Sequence, residues 1–243
     1  MSMFSRLSTA GALLMAVSLS TADVAAKETL KVGCEGGFAP FTYIDDRGVL
    51  TGFDVDLIRM MGKKMGYDEV EITVYPFDGL IPALMTDNFD LIISGFTISE
   101  ERAKRVDFSD PYYRCSLTYL VKKEHAQELA KIESLKDKTV CTQIGTTGAM
   151  YIEKALPGIN LKQFNSPAES YIELQNDGCV ATLNDRPVND YFIVTSGTTG
   201  VKSLPEMLTA FFVREASIVS ASIVTVEVAA KFVDKVATVL SEL

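Results

Sequence analysis

Apolar positions along the chain fall into short β-rich runs that alternate with stretches of helical spacing. Residues 30–34 read as a buried strand, and 42–51 as a polar excursion turning at 45–48. From 53 to 65 the apolar Val55, Ile58, Met61 and Met65 share one helical face. Asp54 and Asp56 sit near its start, where the helix dipole favours negative charge. The pattern then predicts a strand at 72–77, a short helix at 78–85 with Pro82 tolerated in its first turn, a strand at 89–94, and a helix opening at 99–104. It restarts with a strand at 138–143, a helix at 145–155, a helix at 168–176 stopped by Gly178, a strand at 179–183 and a helix opening at Pro187. Strands separated by helices argue for βαβ units with a mostly parallel sheet. Two such units of similar size, joined near 113–117, predict a two-lobed α/β chain with a ligand cleft at the carboxyl ends of its strands.

The first residues read as an address. Residues 1–6 are short and basic, and 7–22 are apolar and uncharged. That run is too short, and too interrupted by Ser and Thr, to span a bilayer of roughly 30 Å. Val24-Ala25-Ala26 places small residues where a signal peptidase reads, so cleavage after Ala26 is expected, with residues 1–26 as signal peptide. Cys34 lies well beyond the apolar run and does not read as a lipid anchor, which makes the periplasm the expected compartment. Hydrophobic residues make up 47%, enough for a large core, and the net charge is −9 with no basic run, a poor basis for binding nucleic acid or an anionic membrane. A single histidine, His125, excludes a two-His zinc site. The four cysteines, Cys34, Cys115, Cys141 and Cys179, form no CxxC motif; two disulfides in any of three pairings, or buried free thiols, remain open.

Candidate chemistry gathers where strands meet helices. Ser94-Gly95 ends a strand and Ser99 suits the N-cap of the next helix, with Glu100 and Glu101 in its first turn. Arg102 opposes the helix dipole there, which fits an anion clamped just beyond the helix end, or else a solvated Arg paired with a nearby Glu. Residues 142–148, Thr-Gln-Ile-Gly-Thr-Thr-Gly, could hold an anion or simply cap their own helix, and lack the Gly-Lys-Ser/Thr of a P-loop. Asp185 could meet a ligand ammonium or serve as an N-cap. Phe38 and Phe77 each follow a strand, and Glu35 is hard to bury without a partner.

The segments FAPFTYIDDRGVLTGFDVDL, FDGLIPAL, ISGFTISEER and VDFSDPYY, in this order, resemble the periplasmic polar amino-acid-binding proteins of ABC importers over residues 27–210. The resemblance implies a type II binding protein: two lobes, each a mostly parallel sheet flanked by helices, closing on one free L-amino acid. It implies lobe 1 at 27–113, lobe 2 at 114–210 and a return to lobe 1 at 211–243. By the same resemblance Arg102 takes the ligand carboxylate, helped by Thr97 and Thr147, while Asp185, Ser94 and Thr97 meet the ammonium group, and Gly95 and Thr146 are counted among the ligand-binding residues. Phe38 and Phe77 are implied as aromatic walls, and Glu35 and Gln143 as partners of the ligand's distal end. Glu35 and the QIGTT segment favour arginine or lysine. The implied protein is a monomeric carrier without cofactor or metal, partnered by a membrane permease. Rival readings are a cyclohexadienyl-dehydratase-like enzyme on the same fold, an amino-acid sensor subunit, or a paralogue that binds nothing.

After Ala210 the pattern departs from the family. Residues 211–215 replace the usual return strand, 218–228 is a β-branched run of open state, and 229–243 has one apolar helical face before the chain stops. An atypical, shortened return segment is therefore expected.

Overall fold

The computed structural model describes residues 28–204 and the backbone of 219–225. The signal segment expected at 1–26, the segment 211–215 and the helical face expected at 229–243 lie outside the described residues. The chain opens with β1 (Thr29–Cys34), then forms a small antiparallel sheet from β2 (Gly37–Phe38), β3 (Thr42–Ile44) and β4 (Leu50–Thr51). It continues through α1 (Phe53–Lys64), β5 (Glu69–Val74), α2 (Leu80–Leu84), β6 (Leu91–Thr97), α3 (Glu100–Ala103), β7 (Asp107–Phe108) and β8 (Tyr113–Cys115). Beyond Ser116 come β9 (Leu117–Lys122), β10 (Thr139–Gln143), α4 (Thr147–Ala155), β11 (Asn160–Phe164), α5 (Pro167–Gln175), β12 (Ala181–Asp185), α6 (Arg186–Thr195), β13 (Val201–Ser203) and β14 (Val219–Thr225).

Two large sheets result. The first has the order β5-β1-β6-β14-β7, with β8 also on β14; β1, β5 and β6 are parallel, and β14 runs antiparallel to β6. The second has the order β11-β10-β12-β9-β13, with β10, β11 and β12 parallel and β9 antiparallel to both its neighbours. Each sheet has its own core. Leu30, Val32, Ile58, Met61, Leu91 and Ile93 fill the first, and Leu117, Tyr119, Val121, Val140, Ile152 and Leu183 the second. Each fully buried aliphatic side chain contributes about 1.5–3 kcal/mol.

The helical face read at 53–65 forms α1, with Val55, Ile58 and Met61 buried and Lys63 and Lys64 in its last turn. Asp54, read as a dipole residue, is instead buried. Gly52 precedes the helix at φ 125°, and a Cβ there would lie 2.2 Å from the Phe41 carbonyl oxygen, so only glycine fits. The strand expected at 72–77 begins at Glu69 and stops at Val74, ahead of Pro76, which has no N–H for a ladder. The strands expected at 89–94 and 179–183 both end further along the chain, at Thr97 and Asp185. The periodicity missed β2, β7, β8, β9, β11 and β13, and the run left open at 218–228 contains β14. Among the cysteines, Cys141 and Cys179 form a disulfide, whereas Cys34 is a buried free thiol and Cys115 a half-buried one.

Candidate functional site

The parallel strands of both sheets bring their carboxyl ends to one cleft. Glu35 follows β1, Ser94, Gly95 and Thr97 end β6, Gln143 ends β10 and Asp185 ends β12. Contacts cross between the two sheets: the Arg102 guanidinium donates to the Gly145 carbonyl at 2.9 Å, and Gln143 Nε2 donates to Glu35 Oε1 at 2.7 Å.

Ser99 caps α3 by accepting the Arg102 backbone N–H at 3.2 Å, which fixes where that side chain leaves the helix. The guanidinium is buried rather than solvated. Its other bond goes to the Thr97 carbonyl at 2.8 Å, and its centre lies 4.7 Å from the Phe96 ring and 5.5 Å from the Phe77 ring. Burial lowers its pKa to about 10, against the opposing pull of Asp185 and Glu101. Glu101 makes an ion pair with Lys154 instead.

Asp185 stands at the N-cap position of α6 but makes no side-chain cap bond. Its carboxylate accepts the Cys115 thiol at 3.4 Å. The residue keeps part of its surface open while its carboxylate is packed among protein atoms, and that desolvation raises its pKa to about 6, against the lowering effect of Cys115 and of Arg102. Arg102 and Asp185 thus feel each other's charge without forming an ion pair. Each is a desolvated charge awaiting a counter-charge, an arrangement that suits an anion and a cation carried by one small molecule.

Glu35 is 5% exposed, and desolvation, offset by Gln143 and reinforced by the charge of Asp78, raises its pKa to about 7. Gln143 spends its two amide hydrogens on Glu35 and on the Asn165 carbonyl, the latter at 2.9 Å. Glu35 Oε2 and Gln143 Oε1 are left buried without a hydrogen-bond partner among the described residues. Two adjoining side chains with orphaned acceptors have hydrogen-bonding capacity that a donor-rich group would satisfy.

The remaining sequence-derived residues occupy varied places. Ser94 Oγ accepts the backbone N–H of Glu35 at 2.9 Å. Gly95 has φ +57°, and a Cβ there would meet the Phe38 ring at 2.5 Å. Phe38 stacks on Phe41 at 5.6 Å and packs with Val188 of the second sheet's α6. Phe77 stacks on Phe96, with ring centres 4.5 Å apart. Thr146 Oγ donates to the Gln143 carbonyl at 2.7 Å and accepts the Ala149 N–H at 3.3 Å, so it caps α4, while Thr147 is buried in the helix's first turn. A cavity of about 230 Å³ opens beside Arg102, lined also by Phe77, Phe96, Gly145, Ile81 and Met150.

Sequence reasoning missed Phe96, Cys115, Asn165 and the inward turn of Asp54. Phe96 carried a signal, since it stands two residues beyond Ser94 on the strand that ends at the candidate site. Asn165 acts through its carbonyl, which residue type does not betray. Among the described residues, no group of three or more His, Cys, Asp or Glu side chains could hold a metal ion. No described helix is long and apolar enough to cross a membrane.

The chain is 32% identical to ABC transporter arginine-binding protein 1 of Escherichia coli (strain K12) over 181 residues, 74% of this chain and 73% of that protein. It is 33% identical to the L-cystine-binding protein TcyJ of the same strain over 160 residues, 65% of this chain and 59% of the relative. Among solved structures, an ancestral arginine-binding protein bound to arginine superposes with a TM-score of 0.81 at 34% identity, covering 89% of this chain and 92% of that one. Residues 30–241 match the bacterial extracellular solute-binding proteins, family 3, which is well over half of the chain. The shared sequence span and the two-lobed α/β architecture lead to one conclusion: the chain belongs to the family 3 extracellular solute-binding proteins.

Proposed function

We propose that the protein captures a free L-amino acid with a cationic side chain, arginine before lysine, and presents it to the membrane permease of an ABC importer. Arg102 would take the α-carboxylate and Asp185 the α-ammonium, with Phe38 and Phe77 flanking the side chain. The observation that carries the preference is the pair of orphaned buried acceptors, Glu35 Oε2 and Gln143 Oε1. A guanidinium offers five donors in a planar fork and a positive charge for Glu35, whereas a carboxamide offers two donors and none. Relatives named for arginine binding support the same choice. In this reading residues 27–113 and 114–210 act as lobes that close on the ligand, 211–243 returns to the first lobe, and the closed form is what the permease reads. The carrier works outside the cytoplasm as a single chain after loss of residues 1–26, without a cofactor and without chemistry of its own.

A thermal-shift screen against the twenty L-amino acids tests this. A ligand at a hundredfold excess over its Kd stabilises the native state by about 2.7 kcal/mol, a rise of several degrees for a chain of this size. Arginine should give the largest shift, with lysine next. A shift confined to glutamine or another neutral amino acid would keep amino-acid capture and overturn the cationic preference. No shift with any of the twenty would overturn the function.

A further inference from the structure

We propose that Asp54 is a positioning residue for the ligand site: its carboxylate, buried beneath the cleft, sets Gly95 and through it the place of the Phe38 wall. The proposal rests on the reading of Gly95 and Phe38 as ligand-facing residues. Asp54 belongs to the segment Gly52-Phe53-Asp54-Val55-Asp56, whose acidic residues the helix dipole alone would explain at the surface. Yet Asp54 is 0% exposed. Its Oδ2 accepts the Gly95 N–H at 2.7 Å, across 41 residues of sequence. Gly95 is the point where β6 takes a positive φ and passes so close to Phe38 that a methyl group would strike the ring. The backbone N–H of Asp54 reaches the Phe41 carbonyl at 3.0 Å, and that of Phe53 reaches the Pro40 carbonyl at 3.0 Å. The start of α1 therefore grips both the loop that carries Phe38 and the strand end that carries Gly95.

The cost of this grip is visible. Asp54 Oδ1 has no well-formed hydrogen bond among the described residues, and desolvation raises the pKa of the carboxylate to about 7 against the lowering pull of the Gly95 amide and the nearby Tyr112 phenol. The Tyr112 phenol packs beside it and is itself pushed well above its ordinary pKa by burial and by the Asp54 charge. A leucine or alanine would avoid that desolvation. Neither would supply the acceptor that the Gly95 amide finds in Asp54.

The test compares Asp54→Asn, which keeps an oxygen for the Gly95 amide, with Asp54→Ala, which removes it. Calorimetry on the purified protein uses L-arginine, L-glutamine and L-cystine in parallel. For whichever of these the unaltered protein binds, D54N should stay within about threefold of its affinity and D54A should lose at least about tenfold, the scale of one charge-assisted hydrogen bond. Without ligand, the Gly95 amide should exchange slowly in the unaltered protein and in D54N, and rapidly in D54A, by nuclear magnetic resonance. If D54A does not fold, Asp54→Ser replaces it, since a serine hydroxyl is too short to reach that amide. Full affinity in D54A or D54S, or Gly95 protection unchanged in either, overturns the proposal. If the unaltered protein binds none of the three ligands, the transport reading is in question, while the Gly95 exchange rates still decide the role of Asp54.

Discussion

Glu35 concentrates the question of specificity in one carboxylate. In the unliganded site it is buried, tied to Gln143 through one oxygen and held near pKa 7. A cationic ligand needs it ionised, so arginine affinity should fall as pH drops below about 7, by up to about tenfold per pH unit. Glu35→Gln removes both the charge and the titration. Calorimetry between pH 5 and 8 should show a weaker arginine isotherm for E35Q, whose remaining pH dependence is that of Asp185 and sets in only below about pH 6, with glutamine affinity affected far less. Equal losses for the charged and the neutral ligand would refute the assignment. The sequence brought Glu35 and Arg102 into view because each is awkward where it stands, one as a carboxylate at a buried strand's end and one by opposing a helix dipole. Asp185 was legible only as a choice between cap and ligand contact, because residue type suits both. The structure leaves its side chain out of the cap and gives it the Cys115 thiol.

At the scale of elements, caps transmit order to the site. Ser166 and Glu169 form a capping box at the start of α5: Glu169 Oε2 accepts the N–H groups of Asn165 and Ser166 at 2.9 and 3.1 Å. The same Asn165 offers its carbonyl to Gln143. Ser166→Ala should cost about 1 kcal/mol, read as a melting temperature lower by roughly 2–4 °C. Ligand affinity should stay within about twofold, because Glu169 still holds Asn165; a loss of affinity larger than the loss of stability would show that the cap itself shapes the site. Helices with one apolar face, α1 and α4 through α6, were legible from spacing. The strands that escaped had lost their pattern for physical reasons. β9 is buried almost throughout and shows no alternation, and β11 is a short, largely exposed edge of the second sheet. β13 spans three residues.

Among the described residues three carboxylates have native pKa values above their ordinary range: Glu35 and Asp54 at about 7 and Asp185 at about 6. In each case the native state holds its proton more tightly than the unfolded chain does. Stability of the ligand-free protein is therefore greatest toward the unfolded pKa values near 4–4.5 and is lost as pH rises through 6 and 7. The melting temperature should climb by several degrees between pH 8 and pH 5, and saturating arginine should flatten that slope by supplying a counter-charge to Glu35 and Asp185. A flat or falling ligand-free profile over this range would contradict the buried, uncompensated state of these groups. Two lobes and a cleft were legible from the restart of the strand–helix pattern. What sequence could not reveal was how the lobes meet, because Gln143 with Glu35, Arg102 with Gly145, and the Tyr43 ring 5.7 Å from Tyr191 are pairings between distant stretches of chain.

The place of β14 has a consequence for the order in which the molecule assembles. The second sheet is built from one continuous stretch, 117–203, and every one of its partners has emerged once β13 is made. The first sheet is different: β14 is the neighbour of β6, β7 and β8 at once, and among the described residues β7 and β8 pair with no other strand. Until residues 219–225 are in place, that sheet consists of β5, β1 and β6 with the β6 side open. The half of the molecule that starts first must finish last, and an exposed strand edge persists until the C-terminal strand docks, the kind of surface that invites chaperones or wrong partners.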